Sequence, residues 1–280
     1  MSGSIRDAAR DARWNSALAQ FDYGVRVQAR VVHALLLREI TTRFGRNQLG
    51  FLWLLLEPLT LASAIGILHW FLAGRHGGDG LKSGVPIFLF YVVGYAPYFA
   101  FRSIVNRAPT AFQANMTLMY HRQVRPLDVM LARNILEVAA VTGALVLLIG
   151  GSAWVINTVP DSIPTMAAAL AMMFALANGL AMMAAAAAAR WEVVDRLIHP
   201  LTYLSLPFSG AFIPLHALPP SWRELMLWNP QPNLHEMLRE GMFGHLIVSH
   251  YDVGYVMAWV LCLNLFGLAA LRAVRVKMEF

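Results

Sequence analysis

Residues 165–189 read TMAAALAMMFALANGLAMMAAAAAA. No charge interrupts those 25 positions, and a helix of that length is about 38 Å long. A bilayer core about 30 Å thick is crossed by about 20 mostly apolar residues in helical form. Lipid offers the backbone no hydrogen-bond partners, so a stretch of this kind must satisfy itself as a helix. The run therefore predicts a transmembrane helix. Its alanines add little bulk, which predicts close approach of the neighbouring helices.

The rest of the chain has the same character. Of 280 residues, 58% are hydrophobic and only 14% charged, against roughly a quarter charged in a soluble domain. Further apolar runs lie at about 51–73, 86–105, 133–156, 197–215 and 253–271. The fold class is all-α, an integral membrane protein with six transmembrane helices. The run at 197–215 contains Pro200, Pro207 and Pro214, so it is predicted to be kinked or broken. The single cysteine, Cys262, allows no disulfide within the chain.

Positive charge sets the orientation. Of 22 Lys and Arg residues, 18 fall on the side of the termini and 4 on the other, so both termini are predicted to be cytoplasmic. Residues 1–46 are mostly polar, with Asp7, Asp11, Asp22 and Glu39, and do not read as a signal peptide. Within them, 1–24 reads as a cytoplasmic tail, and 25–280 as one transmembrane domain. Val25, Ala29, Val32, Leu36 and Ile40 recur at helical spacing, with Arg26, Arg30 and His33 on another face. That pattern predicts an interfacial amphipathic helix over 25–45. Between the fifth and sixth spans, Ser221-Trp-Arg-Glu224 and Asn233-Leu-His-Glu236 have the spacing of helix starts. They predict two short helices at the outer surface or re-entrant, the second closed by Gly241.

No catalytic pattern emerges. The only lysines are Lys82 and Lys277, and Lys82-Ser83 follows Leu81; a phosphate-binding loop needs Gly-Lys-Ser/Thr there. In His235-Glu236-Met-Leu-Arg239, an arginine stands where a zinc-protease helix needs its second histidine. The chain is read as a non-enzyme without metal or cofactor of its own.

Three blocks carry a resemblance. The first runs from Leu37 through Arg43, Gly45, Gly50 and Trp53 to Glu57-Pro58. The second holds Asn115, Tyr120, Pro126, Asp128, Arg133 and Glu137. The third is Trp228-Asn229-Pro230 with His235, Glu236 and Arg239. Together they resemble the ABC-2 type exporter permeases, most closely the capsular polysaccharide export permeases of Gram-negative inner membranes. The likeness covers nearly the whole chain from about Val25 onward. One departure is the extra proline in Asn229-Pro230-Gln-Pro232, expected to alter the start of the second outer helix.

The resemblance implies a multi-pass inner-membrane permease that moves a lipid-linked capsular polysaccharide to the periplasm. It implies a homodimer with two copies of a separate cytoplasmic ATPase that binds ATP and Mg. It also implies a periplasmic adaptor and an outer-membrane export protein as partners, and no nucleic acid. Exporters of other cargo (O-antigen, teichoic acid or a drug) share the family, and a membrane-embedded transferase is the reading from a different class.

Some roles follow for particular residues. Glu57 lies about 10 Å into its span, where a carboxylate is costly and is either a structural tie or part of a cargo gate. Tyr91, Tyr95 and Tyr98 share a helical face and are candidates to line a sugar path, because aromatic rings suit sugar C–H faces. Thr110 to Tyr120 reads as a short amphipathic helix followed by Arg122 and Arg125. By resemblance, that segment is where the ATPase docks. Reporter fusions after Gly78 and Ser162 are expected to be periplasmic, and those after Ala111 and at the C-terminus cytoplasmic. A cytoplasmic Gly78 fusion would overturn the topology.

Overall fold

The computed structural model describes residues 2–44, 48–75, 84–111 and 124–278, without the side chains of 2–18, 43–44, 48–52, 54, 73–75 and 275–278. The described residues form nine α-helices joined by turns of 3-10 helix. They are α1 (Ser2–Phe44), α2 (Gln48–Arg75), α3 (Ile87–Arg107), α4 (Pro126–Ile156), α5 (Ile163–Ala188), α6 (Val193–Ser205), α7 (Pro220–Leu227), α8 (Pro230–Phe243) and α9 (Val253–Met278). Five of them, α2, α3, α4, α5 and α9, are long and apolar enough to cross a membrane.

The fifth predicted span, 197–215, is not one helix. Helix α6 has 13 residues with Pro200 inside it; at about 1.5 Å per residue it reaches roughly 20 Å, short of a bilayer core. A 3-10 turn at Pro207–Ser209 follows, and Gly210 adopts φ 75°. Pro207 cannot donate to the preceding turn, so the helix stops there. Non-helical chain then runs to a second turn at Leu215–Ala217.

Helix α4 begins earlier than the apolar run suggests, at Pro126. Pro126 takes the first helical position, where its missing N–H costs nothing. The Asp128 carboxylate accepts from the Arg125 N–H at 3.0 Å, a satisfied cap. The added turns form the seat for α1. Val31, Val32, Leu35, Leu36 and Ile40 pack there against Val129, Ala132, Leu136 and Ala140. Helix α1 extends to Ser2, well beyond the predicted 25–45, and the upper part of its apolar stripe is open, with Val25 47% exposed.

The short outer helices start elsewhere than the capping patterns implied. Helix α7 is preceded by Pro219 rather than capped by Ser221. Helix α8 is capped by Asn229, whose side chain accepts from the Gln231 N–H at 3.1 Å. Pro230 and Pro232 both fall in the first turn of α8, where backbone donors lack helical partners anyway, so the extra proline disturbs nothing. The helix ends at Gly244, not Gly241. Gly241 instead lets α8 touch the start of α5: a Cβ there would lie 2.8 Å from the Met166 nitrogen.

Close packing of the alanine-rich helix is seen directly. A Cβ on Gly179 of α5 would lie 2.8 Å from the Leu263 Cβ, and one on Gly267 of α9 would lie 3.0 Å from the Gly179 carbonyl. Beside this contact runs a ladder of amides. Asn134 on α4 donates to Asn178 on α5 at 2.8 Å, and Asn178 donates to Asn264 on α9 at 3.0 Å. Asn264 in turn donates to the Ala175 and Val260 carbonyls, both at 2.8 Å. Such interhelical bonds average about 0.6 kcal/mol in a bilayer, so the close packing of small residues contributes more here than the ladder does. Gly179→Leu is therefore expected to cost about 1–3 kcal/mol by overpacking, and Asn178→Ala about 1 kcal/mol. Thermal stability in detergent checks the ranking, and a more harmful Asn178→Ala would reverse it.

Candidate functional sites: a buried ionic knot and a polar belt

Helix α8 carries a dense set of buried polar residues. His235, Glu236 and Arg239 are each 0% exposed. Charges so deep must be paired and hydrogen-bonded. Arg239 donates to the Ala211 carbonyl at 2.6 Å, to the Ile213 carbonyl at 3.4 Å and to Glu236 at 3.4 Å. Its guanidinium also lies 4.0 Å above the Phe90 ring. Glu236 accepts from the Leu215 N–H and the His250 N–H, both at 3.3 Å. Asn233, one turn earlier, accepts from the Asp252 N–H at 3.0 Å and donates to the Leu227 and Asn229 carbonyls.

The knot therefore holds the irregular stretch after α6 on one side and the start of α9 on the other. Gly94 of α3 makes the approach possible: a Cβ there would fall 2.0 Å from the Ala211 carbonyl oxygen and 3.2 Å from Arg239. His235, also 0% exposed, lies inside the same knot. Neither of its ring nitrogens has a hydrogen-bond partner among the described residues.

A second polar group lies at the opposite, basic end of the bundle. Asp128 also accepts from the Gln28 side chain of α1 at 2.9 Å. Arg133 pairs with Glu39 of α1 at 3.0 Å and reaches the Arg107 carbonyl at 3.4 Å. Arg107 lies 3.3 Å from Glu137, which accepts from Ser103 at 2.8 Å. Helices α1, α3 and α4 are thus tied together around the two ends of segment 112–123. Of the residues expected to meet an ATPase, Thr110 and Arg125 are exposed at those two ends. Tyr120 and Arg122 lie outside the described residues, as do Gly45 and Asn115. Gly50 lies in α2, and Arg43 in α1 without a described side chain.

The proposed sugar-path tyrosines face inward. Tyr91 stacks on His69 of α2 at 3.7 Å, and Tyr95 stacks on Phe212 at 6.0 Å. Tyr98, 1% exposed, donates its hydroxyl to the Thr202 carbonyl. The shared face inferred from spacing is real, and it is covered by α2, α6 and the chain around Phe212 within one protomer. Glu57 is exposed, while its neighbour Pro58 is buried. Sequence reasoning missed the amides of the ladder and the pairing of Ser103, Arg107 and Glu137. Lone Asn and Glu residues inside apolar runs were the available signal.

The profile of the family described as ABC-2 type transporter matches residues 30–243, most of the chain, and the chain belongs to that family. Among its relatives is the capsule polysaccharide export inner-membrane protein CtrC of Neisseria meningitidis, 37% identical over 247 residues that cover 87% of this chain and 90% of the relative. The capsule polysaccharide export inner-membrane protein BexB of Haemophilus influenzae is 35% identical, with 90% and 94% covered. The polysialic acid transport protein KpsM of Escherichia coli is 32% identical, with 89% and 95% covered.

Removing one member of a fully buried pair leaves an uncompensated charge, which costs about 3–5 kcal/mol. Arg239→Ala and Glu236→Ala are each expected to lower membrane abundance severely, and Gly94→Ala to do so by steric means. Quantitative blotting of membranes checks this. Abundance equal to the parent for all three would refute the knot as a structural anchor.

Proposed function

We propose that the chain is the permease subunit of an ATP-driven exporter that moves a lipid-linked capsular polysaccharide from the cytoplasm to the periplasm. The observation that carries this reading is near full-length similarity to relatives named for capsule polysaccharide export. The position of the shared motif residues agrees with it. Asp128, Arg133, Asn229, Glu236 and Arg239 form the buried or half-buried ties described above, and His235 is buried among them.

On this reading two copies form the path, and two copies of a separate ATPase chain supply the energy, binding ATP and Mg in the cytoplasm. Segment 112–123, flanked by exposed Thr110 and Arg125, is the surface that meets the ATPase. The ties among α1, α3 and α4 support that role, because they make the ends of the segment rigid with three helices. Both termini are cytoplasmic, which requires an even number of crossings. Helix α6 with the irregular chain after it then serves as the broken sixth crossing, and α7 with α8 as the outer re-entrant pair. A periplasmic adaptor and an outer-membrane export protein complete the route to the surface.

Deleting the chain is expected to remove polysaccharide from the cell surface and to leave it accumulated in the cytoplasm. The purified chain is expected to hydrolyse no ATP alone and to co-purify with an ATPase expressed beside it. Glycan analysis of cell fractions is the deciding measurement. Unchanged surface polysaccharide in the deletion strain would refute the assignment.

A further inference from the structure

Among the described residues, Glu236, Arg239 and Glu137 are buried and paired. Arg102 and Glu57 are not. Arg102 lies in α3, five residues before its basic end, roughly 8 Å inside at 1.5 Å per residue. Glu57 lies nine residues into α2 from the same end, roughly 14 Å. Among the described residues neither forms an ion pair. Glu57 is exposed and Arg102 partly so. The Arg102 guanidinium stands 4.1 Å above the ring of Tyr203, which is itself 56% exposed. Tyr203 is ten residues into α6, roughly 15 Å from the same end. By residue count, Glu57 and Tyr203 thus lie about one helical turn deeper than Arg102.

Unpaired charges at such depth belong beside a water-filled cavity rather than lipid. We propose that Arg102, held over Tyr203, is the cargo-contacting cation in the basic-end half of the transport path, and that it meets an anionic group of the polymer. That group is a sugar carboxylate or the phosphate of the lipid end. The inference rests on the exporter reading above.

The chemistry fits in three ways. A guanidinium presents a planar fork of donors that matches carboxylate or phosphate oxygens. Stacking on Tyr203 uses its face and leaves its edges free for that contact. The remaining exposed ring surface of Tyr203 suits the C–H face of a sugar. Glu57, exposed about one helical turn deeper, repels the same polymer. A path that conducts must attract its cargo enough to admit it and not enough to hold it, and a cation with an anion at similar depth gives that balance. Tyr95 and Tyr98 then act behind the site, as packing that fixes α3 against α6.

The test uses cells carrying the whole transporter with its ATPase. Arg102→Gln is expected to keep membrane abundance near the parent's and to lower surface polysaccharide about tenfold, the effect of one lost charge-assisted bond. Arg102→Lys restores part of the export, since charge returns without the fork. Tyr203→Phe exports normally because the ring remains, and Tyr203→Leu does not. In nanodiscs holding the permease–ATPase complex, ATP turnover is read with lipid-free fragments of the strain's own surface polysaccharide, and separately with short-chain phosphatidylglycerol. If Arg102→Gln loses stimulation by the fragments, the contact is to the sugars; if it loses stimulation by phosphatidylglycerol, it is to the phosphate. Normal export by Arg102→Gln at normal abundance overturns the proposal, as does retention of both stimulations. Should Arg102→Gln fail to accumulate, Tyr203→Leu decides, and normal export by that variant overturns it. If deletion of the chain leaves surface polysaccharide intact, the exporter reading itself fails. If deletion removes it while Arg102→Gln exports normally, only this inference fails.

Discussion

A buried stretch of non-helical backbone needs partners for its N–H and C=O groups. The chain between α6 and α7 meets that requirement through Arg239 and Glu236. Their side chains take the Ala211 and Ile213 carbonyls and the Leu215 N–H, and Glu236 also takes the His250 N–H. Without them the stretch around Gly210 would have to be helix or leave the protein. The same two residues decide where α8 lies, because a charge pair with no exposure must be surrounded on every side. Gly94, Ala211 and Phe90 are the walls. The outer half of the bundle is thus arranged around one ion pair rather than around a simple apolar core.

The basic end is arranged differently. There, ties are partly exposed and distributed: Gln28 to Asp128, Glu39 to Arg133, and Arg107 to Glu137. Exposed pairs contribute little stability singly. Their value lies in geometry, since they join α1 to α4 and α4 to α3 on both sides of segment 112–123. The chain on either side of that segment is therefore fixed to three helices at once.

Hydropathy placed α2, α3 and α5 to within a few residues at both ends, and the alanine and glycine content of α5 announced its close packing. Boundaries were less visible where polar signals governed them. Helix α4 starts at Pro126 because of the Asp128 cap, seven residues before its apolar run begins. Helix α8 takes Asn229 as its cap rather than Asn233, because the Asn233 side chain serves the Asp252 N–H. The break after α6 was foreseeable from three prolines, yet its course was not, since that depends on Arg239 reaching back 28 residues to Ala211. The pairing of Glu236 and Arg239 with main chain could not be read from their spacing. Spacing put Tyr91, Tyr95 and Tyr98 on one face of α3; that α2, α6 and Phe212 cover it depends on how those elements pack.

The amide ladder also has a consequence in time. Asn178 is made 86 residues before Asn264, its acceptor on α9. At about 5–20 residues per second, a ribosome needs roughly 4–17 s to supply that partner. Through that interval α5 stays in the bilayer with half of its Asn178 amide satisfied by Asn134 and with the Gly179 groove unfilled. The bundle around α5 therefore stays open on that side until α9 is inserted, and α9 closes it.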